Sequence, residues 1–174
     1  MHQIQTAGEQ KYYDFISDRV KQVRTGMIVW ASLLSLALIS LFNNIVIAFI
    51  LALSGAALAV VNVKSQRELK EKLAHISDKE DFFRQLEAPD VLMVQDGHML
   101  VTKDYVLTYR TDVTVYYIPD MEKVEVGLKG HTKKSLLLTD RQGVRHEIMI
   151  CTQNSGASKE FDAVYHALKG RVQG

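Results

Sequence analysis

The chain has 174 residues, 47% of them hydrophobic, and a formal net charge of +1 at neutral pH. Basic and acidic residues are balanced, which argues against a nucleic-acid binder, because such proteins concentrate positive charge on one face. The single cysteine, Cys151, excludes an intrachain disulfide and a multi-cysteine metal site and is typical of a reducing compartment.

Residues 27–63 contain no ionisable side chain, and the polar pair Asn43-Asn44 interrupts them in the middle. As helices, residues 27–42 and 45–63 would be about 24 Å and about 28 Å long, against a hydrocarbon core of roughly 30 Å. This pattern predicts a transmembrane helical hairpin with a tight turn at the two asparagines.

Basic residues flank the hairpin on both sides, whereas its turn carries no charge. Arg19, Lys21 and Arg24 precede it, and Lys64, Arg67, Lys70 and Lys72 follow it. The positive-inside rule then predicts that both termini are cytoplasmic. We therefore expect a multi-pass protein of the cell membrane, the inner or plasma membrane of a bacterium.

Small residues recur along the spans at three- and four-residue spacing, which lets helix backbones approach closely in lipid. The candidate helix-packing residues are Ala48, Ala52, Gly55, Ala56 and Ala59 in the second span, with Ser32 and Ser35 in the first. They either join the two spans to each other or pack against a second copy of the chain, as in a homo-oligomer.

Helical periodicity extends on both sides of the spans. Residues 1–26 form a predicted amphipathic helix, which either lies in the headgroup region or packs on residues 64–76, where a matching apolar stripe occurs. Residues 64–88 form predicted cytoplasmic connecting helices. Within them Ser77 to Glu80 have the form of a capping box, so a short helix is expected to begin at Ser77.

The period changes to two after Pro89, and residues 89–174 are predicted to form a β domain of seven short strands. Asp96-Gly97 favours a two-residue hairpin turn between the first two strands. Beyond Ser158, Phe161, Val164 and Leu168 share one face of a predicted C-terminal helix, which must bury that face.

The sequence carries none of the common nucleotide-binding, nucleophile-elbow or zinc-peptidase motifs, and its six histidines are scattered. We therefore predict no enzymatic activity, no cofactor and no metal. The one candidate binding site is a basic loop, Lys129, His131, Lys133 and Lys134, whose lysines would each contribute about 1 kcal/mol of attraction to an anionic leaflet. The alternative is a solvated connection between strands.

The segments LVTKDYVL at residues 100–107 and YIPDMEKV at 117–124 resemble the bacterial pleckstrin-homology-like (PH-like) and GRAM-like pattern. The resemblance covers residues 91–172 and implies a seven-stranded antiparallel barrel or sandwich closed by a C-terminal helix. Phosphoinositide-binding members carry a lysine followed by a [KR]-x-R strand, and Lys103 with Arg110 does not reproduce it.

The predicted fold class is thus an α+β membrane protein, a transmembrane hairpin followed by a PH-like β domain. The leading functional hypothesis is a membrane-anchored, non-enzymatic module that presents a surface for anionic lipid headgroups or a protein partner at the cytoplasmic face. The alternative is a structural subunit that oligomerises, or docks into a larger membrane complex, through its hairpin.

Overall fold

The computed structural model describes residues 6–74, 76–110, 112–130, 132–152 and 157–172, without the side chains of Lys70 and Ala157. Contacts divide the chain into two units: Ile16–Ser77 forms the hairpin unit, and the residues up to Phe15 join those from Asp78 onwards in the β unit. The helices are α1 (Ala7–Ser40), α2 (Ile45–Ala74), α3 (Lys79–Glu87) and α4 (Ala157–Val172). The strands are β1 (Leu92–Val94), β2 (Met99–Val101), β3 (Tyr105–Tyr109), β4 (Val113–Tyr117), β5 (Met121–Lys129), β6 (Lys133–Asp140) and β7 (Arg145–Thr152).

In the hairpin unit, α1 and α2 are each long and apolar enough to cross a membrane. Asn44 begins α2 as its N-cap, since its Oδ1 accepts hydrogen bonds from the backbone N–H groups of Val46 at 3.0 Å and Ile47 at 3.2 Å. Further along α2, Asn62 donates from Nδ2 to the Val23 carbonyl of α1 at 2.8 Å. The asparagines thus fix the turn and one point of contact between the helices.

The β unit contains two antiparallel sheets, one in the order β1-β2-β3-β4 and the other β5-β6-β7. Their inner faces share one hydrophobic core, which contains Val101 and Val106 from the first sheet and Leu136 and Met149 from the second. Helix α4 covers this core with Phe161, Val164 and Leu168, all buried. The α+β class, the seven strands and the C-terminal helix are confirmed for the described residues.

The outer face of the four-stranded sheet is also covered, which explains why β3 is buried on both faces. Phe82 of α3 packs edge-on against Tyr105 of β3, with ring centroids 5.0 Å apart, and against Tyr12 of α1, at 5.7 Å. A Cβ on Gly8 would lie 2.0 Å from the Phe83 carbonyl oxygen, so only glycine permits this approach of α1 to α3. The first turns of α1 and all of α3 therefore form an extra layer on the sheet.

Three details differ from the sequence-based expectations. The barrel is not closed, because the segment Ile118–Asp120 forms a 3₁₀ turn with Pro119 in its first turn, which ends β4 before the second sheet begins. The N-cap of α3 is Asp78, whose side chain accepts from the Asp81 N–H at 2.9 Å, and not Ser77.

The first hairpin turn is also longer than two residues, since Val94 pairs with Met99 across it. Gln95, Asp96 and Gly97 all have positive φ angles. The Gln95 N–H donates to Glu160 of α4 at 3.0 Å instead of to the partner strand.

Candidate functional site

The predicted basic loop lies at the end of the β5-β6 hairpin, which we call the sheet tip and define as residues 126–134. Lys129 is the last residue of β5, and Lys133 and Lys134 are the first two of β6, so these three lysines lie on strands. His131, the fourth predicted residue of the site, lies outside the described residues. Gly130 turns the chain with a φ of 69°, a value that favours glycine.

The sheet tip exposes apolar side chains beside the lysines. Val124, Val126 and Leu128 alternate on the inner face of β5, and their exposed fractions rise from 6% to 45% to 74%. Leu128 is paired with Lys134 across the two strands, so both side chains project from the same face. The inner face of this sheet is therefore covered at its centre and uncovered at its tip.

The lysines differ in their electrostatic surroundings. Lys129 forms an ion pair with Glu147, Nζ to Oε2 at 3.3 Å, and Arg110 binds the same carboxylate at 3.0 Å. The hydrogen bond from Arg110 is the largest cause that holds the pKa of Glu147 below its ordinary value. Within the described part of the chain, no carboxylate lies within ion-pair distance of Lys133 or Lys134. Lys133 and Lys134 therefore carry charges that no described carboxylate pairs with, whereas Lys129 shares Glu147 with Arg110.

A second polar cluster, which the sequence did not indicate, surrounds Gln85 of α3. Its Oε1 accepts from the Asp104 N–H at 2.9 Å and from the Thr102 hydroxyl at 3.1 Å, while its Nε2 donates to Asp81 at 2.6 Å and to Asp104 at 2.7 Å. These bonds use the full capacity of the amide. The cluster therefore holds α3 on the β2-β3 turn, beside a polar cavity of about 320 Å³.

The small residues of the hairpin divide between two faces. Ala48 and Gly55 are buried, and Ala52 and Ala59 are half-buried. A Cβ on Gly55 would lie 3.0 Å from Leu34 of α1, so this face joins the two helices. The remaining positions of the predicted stripe are exposed: Ala56, Ser32 and Ser35.

No family model matches the chain, and no curated protein matches its sequence.

Within the described residues, no group of three or more His, Cys, Asp or Glu side chains is arranged to hold a metal ion. His146 contacts a single carboxylate, Asp140, at 3.0 Å in the β6-β7 turn. Sequence reasoning identified the lysines of the tip but not Val126 and Leu128, because strand alternation alone does not show where the core ends. The signal that could have found them is the position of Leu128, directly before a lysine-rich turn.

Proposed function

We propose that the chain is a membrane-anchored, non-enzymatic PH-like module whose sheet tip binds the anionic cytoplasmic leaflet. The hairpin inserts with both ends in the cytoplasm, as the basic residues on its two flanks favour. The order of four strands, three strands and a C-terminal helix supports the PH-like assignment of the β unit.

The observation that carries the proposal is the combination of exposed Leu128 with Lys133 and Lys134 at one end of the β5-β6 hairpin. An isolated exposed leucine is ordinary on a protein surface. A leucine that shares its face with Lys134, while Lys133 projects from the opposite face, can enter the interface as the ammonium groups contact lipid phosphates. Each lysine contributes about 1 kcal/mol near an anionic surface, and complete burial of the leucine adds about 1.5 to 3 kcal/mol.

The test uses the full chain in nanodiscs and an environment-sensitive dye on a cysteine at Thr132, an exposed residue of the tip. Cys151 is buried, so it does not compete for the dye in the folded protein. We expect the emission of the dye to shift to the blue in discs that contain phosphatidylglycerol and not to shift in discs of phosphatidylcholine alone. High salt should reduce the shift, because the Debye length falls from about 10 Å at 0.1 M to about 3 Å at 1 M.

The matched control places the dye at Gln142, in the turn at the opposite end of the same sheet. Gln142 is exposed as well, so a blue shift there would indicate non-specific adsorption. The variant Leu128→Ser with Lys133→Ala and Lys134→Ala should abolish the shift at position 132. If the dye at position 132 of the otherwise wild-type chain showed no blue shift in anionic discs, the result would contradict the proposal. It would favour a protein partner for this surface.

A second candidate function rests on the exposed positions Ser32, Ser35 and Ala56, which leave a second small-residue face on the hairpin. The Ser35 hydroxyl donates to the Ala31 carbonyl at 2.9 Å, so its polar atom is satisfied inside α1. Such a face permits close packing with another transmembrane helix. Cysteine cross-linking at Ser32 in native membranes tests it, with the exposed Leu38 on another face of α1 as the control. A disulfide-linked dimer specific to Ser32 would support oligomerisation.

A further inference from the structure

An apolar groove of about 440 Å³ lies between α1 and α2 within the hairpin unit, beside the turn that joins the two helices. Every described residue that lines it is apolar. Small buried side chains form the floor, among them Ala37 and Ala48, which are 5% and 2% exposed. Large side chains form the walls, among them Leu38 and Phe49, which are both 64% exposed. The groove is therefore narrow at its base and open at its rim.

The groove extends over a depth of less than one leaflet. Its lining runs from Leu34 to Leu41 on α1 and from Ile45 to Ala52 on α2. Each stretch rises about 10 Å along its helix, whereas half of a hydrocarbon core is about 15 Å thick. The polar pair Asn43-Asn44 lies in the turn at the end of both stretches. In the proposed insertion, the groove therefore faces the acyl chains of the leaflet opposite to the cytoplasm.

The shape of the groove favours a hydrocarbon chain over a second helix as its occupant. Helices approach each other closely in lipid through exposed small residues, whereas the small residues here lie below exposed Leu38 and Phe49. A helix about 10 Å in diameter that followed the groove over about 10 Å would fill roughly 800 Å³, and the groove offers about 440 Å³. A single acyl chain is narrower than a helix and carries no polar group that needs a partner.

We propose that this groove binds one acyl chain of a phospholipid from the leaflet opposite to the cytoplasm. The chain lies on Ala37 and Ala48 between Leu38 and Phe49, and the headgroup lies at the level of the Asn43-Asn44 turn. Van der Waals packing favours this position, because lipid supplies no hydrophobic driving force. The inference rests on the membrane insertion proposed above. The site is separate from the sheet tip, since its described lining residues belong to the hairpin unit.

The test places a photoreactive diazirine analogue of leucine at position 38 of the full chain or, as the matched control, at position 39. Leu38 and Ile39 are almost equally exposed, at 64% and 62%, but Ile39 does not line the groove. The protein is reconstituted with phosphatidylcholine, transferred to detergent, washed and illuminated. A lipid in the groove should survive the wash, whereas lipid on the open helix surface should exchange for detergent. We expect the intact mass to show one lipid adduct at position 38 and none at position 39.

A second pair of variants changes the space in the groove without changing charge. Ala52→Phe, at a half-buried lining residue, should fill the groove and remove the adduct at position 38. Ala57→Phe makes the same change at an exposed residue of α2 that does not line the groove, and it should keep the adduct. The helical circular dichroism signal shows whether both variants fold. If Ala52→Phe does not fold, the comparison of positions 38 and 39 decides alone.

Several results would overturn the proposal: no adduct at position 38, equal adducts at both positions, or an adduct that persists in folded Ala52→Phe. A cross-linked protein dimer at position 38 would make a second helix the occupant instead. An adduct with phosphatidylglycerol but not with phosphatidylcholine would show that the headgroup, and not the chain, is recognised. Membrane fractionation is recorded first: a chain in the membrane fraction without the adduct contradicts this inference alone, and a chain outside that fraction contradicts the proposed insertion.

Discussion

The two units use the same residue types in opposite ways. In the β unit, large apolar side chains such as Leu136 and Phe82 are completely buried. Within residues 27–63 of the hairpin unit, large ones such as Leu38 and Phe42 face outwards, Phe42 with 91% of its surface exposed, and the buried positions are Ala37, Ala48, Gly55 and Asn62. An outward apolar surface of this extent is typical of a surface that contacts lipid or another protein, whereas large buried apolar side chains are typical of a domain in water. The comparison agrees with the membrane insertion proposed for the hairpin.

The largest effect on stability is expected from substituting one phenylalanine in each unit. Phe82→Ala removes a buried ring that contacts Tyr12, Phe83 and Tyr105, and it should destabilise the β unit by about 3 to 5 kcal/mol. Phe42→Ala, at an exposed position, should leave that stability unchanged. The labelling rate of Cys151, buried in β7, reports the opening of the β unit for both variants.

An equal rate for the two variants would contradict the assignment of Phe82 to the fold of the β unit. A faster rate in Phe42→Ala would show that the outward face of the hairpin supports that unit, against the division drawn here.

The next test places a large side chain at a close helix contact inside the hairpin. Gly55→Leu places a side chain where a Cβ alone meets Leu34 at 3.0 Å and the Trp30 carbonyl at 3.3 Å. Over-packing of this kind costs about 1 to 3 kcal/mol. Ala56→Leu, on the neighbouring exposed position, should have no such cost. Thermal loss of the helical circular dichroism signal in detergent measures both, and matched melting curves would refute the close contact at Gly55.

The order of elements was accessible from the sequence because each depends on a local pattern. Residues 27–63 lack charge over a length sufficient for two helices that could cross a membrane, and the period-two alternation after Pro89 locates the strands. The extra layer that α1 and α3 form on the four-stranded sheet could not be predicted from the sequence. The contact of Tyr12 with Phe82 joins residues seventy positions apart, and no local period reports such a pairing.

The candidate site was accessible in part, for a similar reason. The lysines at 129, 133 and 134 stand out as a local run of charge, whereas the exposure of Leu128 depends on where the core ends. The open barrel likewise depends on strand pairing across the 3₁₀ turn at Ile118–Asp120, which strand propensity alone does not define.

At Tyr12 we expect a smaller change in the free energy of unfolding, and this change is stabilising. Its hydroxyl is buried and has no hydrogen-bond partner among the described residues, so Tyr12→Phe should stabilise the β unit by up to about 1 to 2 kcal/mol. Burial raises the pKa of Tyr12 to about 12, above an unfolded value near 10. The wild type should therefore lose stability as the pH rises from about 10 towards 12.

Thermal melts at pH 7 and pH 11 measure this difference, with Tyr13→Phe as the control on the same helix. Because Tyr12→Phe has no phenol to ionise at this position, it should lose less stability than the wild type in that range. A destabilised Tyr12→Phe variant would mean that the hydroxyl makes a bond in the folded protein.

The smallest effect concerns acid and the β6-β7 turn of the β unit, since residues 27–63 of the hairpin have no ionisable group that could respond. Asp140 accepts from His146 at 3.0 Å and from the N–H groups of Gln142 and Val144, both at 2.9 Å. The His146 hydrogen bond is the largest cause, and that from Val144 the next, of a pKa below the ordinary value for Asp140. A lowered folded pKa stabilises the fold above the unfolded pKa, near 3.9, and the contribution is lost as the pH falls through the folded value.

Asp140→Asn should therefore be less stable than the wild type at pH 6, and the two should converge as the pH falls towards 3. Asparagine keeps an oxygen that can accept from the turn N–H groups, so the remaining difference isolates the charge. Glu122→Gln, on an exposed residue of β5, is the matched control and should change stability little at either pH. Thermal melts followed by far-ultraviolet circular dichroism measure all three proteins. A constant gap between wild type and Asp140→Asn from pH 6 to 3 would show that the carboxylate charge does not stabilise this turn.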